Sequence, residues 1–131
     1  MKKVQIRQQA DVVLARQAGR EAAKELGFGL ADQTRLATAI SELARNVVQY
    51  AGAGQCIITD ESDEEFIKIR VVVEDHGPGS PDIERALRDG FSTGNGLGAG
   101  LPGTKRLVHE FRIESKPGHT RITVGMRKRR R

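Results

Sequence analysis

Small and aliphatic residues recur at helical spacing after Asp11: Val12, Ala15, Ala18, Ala22, Ala23 and Leu26. The run stops at Gly27-Phe28-Gly29, and the pattern predicts a helix with Asp11 as its N-cap. A second stripe of Leu36, Ile40, Leu43 and Val47 predicts a helix from near Asp32 to Ala51-Gly52-Ala53-Gly54. The period then changes. Gln55–Thr59 and Phe66–Asp75 are rich in Ile and Val and flank the acidic stretch Asp60-Glu61-Ser62-Asp63-Glu64-Glu65, which predicts an antiparallel hairpin. Ser80, with Pro81 at the first helical position, starts a short helix to about Arg88. A glycine-rich loop over 89–100 leads into a third long helix reaching about His109. Strands near Phe111–Ser115 and Thr120–Arg127 flank the turn at Lys116-Pro117-Gly118, and residues 4–7 suit a short edge strand. This order predicts an α+β fold: two layers, a mixed but mainly antiparallel sheet with helices on one face.

The length of 131 residues suits one domain over 1–131. No apolar run approaches the roughly 20 residues a membrane span needs, and the N-terminus has no signal-peptide core. The single cysteine, Cys56, rules out an internal disulfide and a multi-cysteine zinc site, and at a strand start it reads as buried packing. The expectation is a cytoplasmic protein with no membrane partner.

Net charge is +5, from 22 Lys and Arg against 17 Asp and Glu. The run Arg127-Lys128-Arg129-Arg130-Arg131 accounts for all of the excess, and without it the body is neutral. We read 127–131 as a solvated basic tail. Nucleic-acid binders carry charge on a folded face, interleaved with aromatics, so the reading is no nucleic-acid partner.

Three features carry chemistry. Glu42 and Asn46 lie four residues apart, on one face of the second helix. A carboxylate there can accept a hydroxyl proton, and an amide oxygen suits a hard cation such as Mg²⁺. Glu74-Asp75-His76-Gly77-Pro78-Gly79 follows a strand directly, so an acid sits at a strand end above a tight turn. Such a carboxylate could accept a hydrogen bond from an exocyclic amine like that of adenine. Gly94-Asn95-Gly96-Leu97-Gly98-Ala99-Gly100-Leu101 runs into a helix, an arrangement that points backbone N–H groups at a phosphate. Two overlapping motifs fail. Gly98 to Gly103 spells G-x-G-x-x-G but follows no strand, and Gly103-Thr104-Lys105 displaces the lysine a P-loop requires. His109, at a helix end, suits the helix dipole rather than a phosphoacceptor role.

Taken in order, Glu42-x-x-x-Asn46, Asp75-x-Gly77-x-Gly79 and Gly94-x-Gly96-Leu97-Gly98-x-Gly100-Leu101 resemble the nucleotide site of the GHKL ATPases, the Bergerat fold. The resemblance covers nearly the whole chain. Ser41 to Asn46 and Asp89 to Gly98 are similar to the small serine-protein kinases of the anti-sigma-factor type, in particular those of bacterial stressosome signalling. The resemblance implies ATP and Mg²⁺ as ligands, with Glu42 as general base and Asn46 as the magnesium ligand. Asp75 would take the adenine amine, and Gly77 and Gly79 would shape its pocket. Gly94, Gly96, Leu97, Gly98, Gly100 and Leu101 would belong to the nucleotide lid and its approach. The family often places an adjacent Gly-Thr late in the fold; this chain reads Gly118-His119-Thr120, and Thr120 is the residue carried over. Implied partners are STAS-domain stressosome scaffold proteins as substrates and a serine phosphatase activated by binding. A kinase that also holds a sigma factor shares these motifs. A non-enzymatic switch gated by ATP is the third reading, against which Glu42 beside Asn46 argues.

Overall fold

Alternation of inward and outward side chains builds a five-stranded sheet ordered β1-β2-β3-β5-β4. The computed structural model describes residues 1–78 and 100–130. Its strands are β1 (Lys2–Ile6), β2 (Gly54–Asp60), β3 (Phe66–Asp75), β4 (Glu110–Lys116) and β5 (His119–Arg129). Its helices are α1 (Gln9–Glu25), α2 (Leu30–Asn46) and α3 (Gly100–Leu107), with a π-helical turn at Val47–Ala51. Every pairing among the described residues is antiparallel, so the expected α+β class holds and the sheet there is not mixed. The short helix expected from Ser80 and the loop expected over 89–100 lie outside the described residues, except Gly100, which already belongs to α3. No described helix is long and apolar enough to cross a membrane.

The core lies between one sheet face and the helices. Cys56 and Ile58 of β2, Ile69, Val71 and Val73 of β3, and Ile122, Val124 and Met126 of β5 are all buried on that face. Leu36, Ile40 and Leu43 of α2, continued by Val47 of the π turn, meet them, each side chain at most 2% exposed. α1 packs on α2 closely enough that Gly19 has no room for a methyl group beside Ile40. α3 packs against α2 through the fully buried Leu101 and Thr104.

Two local expectations are corrected. Gln8, not Asp11, caps α1, and Asp11 is the third residue of the helix. Its carboxylate reaches back to accept from the N–H groups of Arg7 (2.8 Å) and Gln8 (3.2 Å), satisfying donors the first turn leaves open. The basic run is not a tail at its start. Arg127, Lys128 and Arg129 continue β5 and pair with Lys68, Ile67 and Phe66 of β3. Lys128 also donates from Nζ to the Gly27 carbonyl at 2.6 Å.

Candidate functional site

α2 runs from Leu30 to Asn46 without a break, so Glu42 and Asn46 lie on one face, as four-residue spacing requires. Glu42 Oε1 accepts from Arg45 Nη1 at 2.7 Å, and the carboxylate side chain stays 26% exposed. The amide of Asn46 is different. Its Nδ2 is buried with no hydrogen-bond partner among the described residues. Leaving a buried donor unmet costs about 1–3 kcal/mol, so this amide suits a site completed by another molecule.

Beyond Asn46 the helix widens. Gly52 N–H donates to the Val47 carbonyl at 2.8 Å, an i to i+5 bond, and single π turns of this kind recur at functional sites. The turn swings Ala51 against the end of β3. A Cβ placed on Gly77 would lie 2.6 Å from Ala51 Cβ, so only glycine allows this approach.

The strand ends bring three residues into one row on the core face. Gly54 is the register partner of Asp75, and Asp75 is the partner of Thr120. Asp75 is 7% exposed and Thr120 1%. Asp75 Oδ1 accepts from Gly77 N–H at 2.9 Å, which fixes the carboxylate over the turn. Thr120 Oγ1 lies 3.1 Å from Ser115 Oγ, across the Pro117-Gly118 turn. Gly54 contributes by lacking a side chain: a Cβ would fall 3.2 Å from Asp75 Cβ and 2.5 Å from the Glu74 carbonyl.

The described residues thus join Asp75, Gly77 and Thr120 at one end of the sheet, with Asn46 one π turn away in sequence. Leu101 is fully buried and anchors α3 to the core. Gly100 is the first described residue of α3. Gly79, Gly94, Gly96, Leu97 and Gly98 lie outside the described residues. Sequence reasoning missed Gly54, Ala51 and Ser115. Gly54 reads as a helix stop, and Ser115 becomes visible only once the Lys116-Pro117-Gly118 turn is closed as a tight hairpin.

ATP and Mg²⁺, which the resemblance implies, fit this donor set. A buried acid at a strand end suits an amine-bearing base. A buried amide N–H without an acceptor suits a phosphate oxygen, and the oxygen of the same amide is of the type a magnesium ion takes.

Residues 31–130 match the family described as histidine kinase-, DNA gyrase B- and HSP90-like ATPase. The chain is 55% identical over 115 residues to the serine/threonine-protein kinase RsbT of Bacillus subtilis (strain 168). That match covers 88% of this chain and 86% of the relative. The crystal structure of the RsbU and RsbW domains of a Mycobacterium tuberculosis protein shares the fold, with a TM-score of 0.68 at 21% identity. It covers 100% of this chain and 34% of that one.

Proposed function

Because this chain belongs to the family of histidine kinase-, DNA gyrase B- and HSP90-like ATPases, we propose a specific task for its site: phosphorylation of STAS-domain stressosome scaffold proteins. The chain is a serine/threonine-protein kinase, as its identity to RsbT shows. The phosphoryl donor is ATP with Mg²⁺, and the acceptor is a serine or threonine hydroxyl of the scaffold. On leaving the scaffold, the kinase binds and activates a serine phosphatase in the cytoplasm.

The observation that carries the reading is the buried row at the strand ends, where Asp75 and Thr120 are register partners beside the side-chain-free Gly54. Asp75 accepts a hydrogen bond from the adenine amine, and the turn at Gly77 holds its carboxylate in place through the Gly77 N–H. By the family resemblance, Gly79, Gly94, Gly96, Gly98 and Gly100, with Leu97 and Leu101, are assigned to nucleotide binding. Asn46 holds magnesium through its amide oxygen. Bound magnesium supplies charge neutralisation along the phosphates, which phosphoryl transfer needs more than covalent help. Glu42 takes the proton from the acceptor hydroxyl, and Arg45 at 2.7 Å orients its carboxylate.

The test is phosphotransfer from Mg-ATP to a purified STAS-domain scaffold protein, with Glu42→Ala alongside. We expect phosphate on serine or threonine with the parent. The variant should keep ATP affinity while its rate falls by about 100-fold or more, the usual weight of a general base. Full transfer in Glu42→Ala removes the base assignment. ATP binding without transfer to any scaffold protein overturns the substrate.

A further inference from the structure

A second row of side chains sits directly behind the candidate site, on the open face of the sheet. Gln55 and Glu74 are register partners, one residue along from Gly54 and Asp75. Side chains alternate along a strand, so this pair faces away from the nucleotide row. Glu74 accepts at both oxygens: from Gln55 Nε2 at 3.2 Å and from His119 Nε2 at 2.6 Å. The bond from His119 holds the Glu74 carboxyl below its ordinary range, outweighing the upward push of burial. An ionised carboxylate only accepts, so the proton of that bond resides on His119 Nε2. The His76 ring lies against His119 at 5.1 Å between centroids, tilted by 34°. β2, β3 and β5 are therefore joined by side chains at one point.

That point is where the described ladders end. Gly54 with Asp75 is the last pair of β2 and β3, and Asp75 with Thr120 is the last of β3 and β5. Strand ends have fewer ladder bonds to hold them, so cross-strand side-chain pairs carry more of their order. His119 is also the residue that separates Gly118 from Thr120, where adjacent Gly and Thr would leave no side chain to reach Glu74.

We infer that Glu74 and His119, with Gln55, form a clamp behind the strand ends. It sets the spacing of Asp75 and Thr120, and through it nucleotide affinity. They are positioning residues and touch neither nucleotide nor acceptor. The inference rests on the reading of Asp75 given under Proposed function.

The experiment measures ATP affinity by calorimetry and kcat at saturating ATP. Its variants are Glu74→Ala, His119→Ala, the double variant and His119→Gln, with Asp75→Asn as reference. Each single alanine variant should weaken ATP binding roughly tenfold, the weight of one charge-assisted hydrogen bond. kcat at saturating ATP should stay within about twofold. The double variant should be no weaker than the weaker single one, because both remove the same bond. His119→Gln, whose amide nitrogen can replace Nε2, should recover most of the affinity. If the single variants bind ATP like the parent while Asp75→Asn is weakened, the clamp is wrong and the site stands. If Asp75→Asn also binds normally, the site reading falls and the clamp falls with it. A kcat that drops in step with affinity, unrescued by Gln, makes the pair merely structural and overturns the proposal.

Discussion

A methyl group on Gly77 would meet Ala51 at 2.6 Å, and both partners of that clash are fixed by backbone. The π turn cannot retreat without pulling on Asn46, and the β3 end cannot retreat without turning Asp75. Gly77→Ala should therefore act on binding more than on folding. We expect ATP affinity to fall at least about tenfold while thermal unfolding shifts by only a few degrees, since overpacking typically costs about 1–3 kcal/mol. Calorimetry beside a melting curve checks this. Of the residues here, Glu42, Asn46 and Asp75 are legible in the sequence, because each is a polar residue at an element position that needs a reason. Gly54 is not. Its role depends on a register partner 21 positions away, and no local pattern states a register. Thr120 is half legible: the turn before it is plain, but its place opposite Asp75 follows only from the sheet order.

At the scale of elements, the β2–β3 hairpin shows how an acidic loop can stabilise the strands it joins. The Asp63 carboxyl is held below its ordinary range by the N–H groups of Phe66 and Glu65, then by Lys68. Asp60 is lowered by its hydrogen bonds with Ser62. Glu74, at the far end of β3, is lowered by His119. A carboxyl whose pKa is depressed in the folded state adds stability above its unfolded value, and loses it as pH falls through the folded one. The ordinary values are 3.8 for the aspartates and 4.5 for Glu74, so the loss should be confined to acid pH. Urea midpoints should be flat from neutral pH to about 5 and decline below about 4. Glu74→Gln and Asp63→Asn should each make that decline shallower; an unchanged slope in both refutes the assignment. The hairpin itself is plain from its Ile and Val alternation, as are α1 and α2 from their stripes. The π turn is not, because Val47 to Ala51 continues a helical pattern and only the hydrogen bonds reveal the wider turn.

Across the whole molecule, the basic run changes meaning once it is placed. Counting charge treats 127–131 as an appendage, whereas the inward alternation of Thr120, Ile122, Val124 and Met126 carries β5 on through Arg129. Arg127 and Arg129 instead gather with Lys68 about the Phe66 ring, at 5.1 to 5.9 Å from its centre. Lys128 turns to the other side, over Phe28 and onto the Gly27 carbonyl. Removing residues 127–131 should therefore destabilise the fold. Losing several ladder bonds at about 1 kcal/mol each should lower the melting temperature by roughly 5–15 °C. An unchanged melting temperature restores the tail.

Cys56 belongs to β2 of this same sheet, fully buried on its core face and flanked by β1 and β3, with burial pushing its thiol up to about 12. Thiolate is the form that alkylating reagents attack, and here it is neither formed nor reachable while the strands stay paired. As the chain has no other cysteine, its single thiol acts as a built-in clock. Under conditions where modification outpaces reclosing, its labelling rate equals the rate at which the sheet opens, with no probe to install.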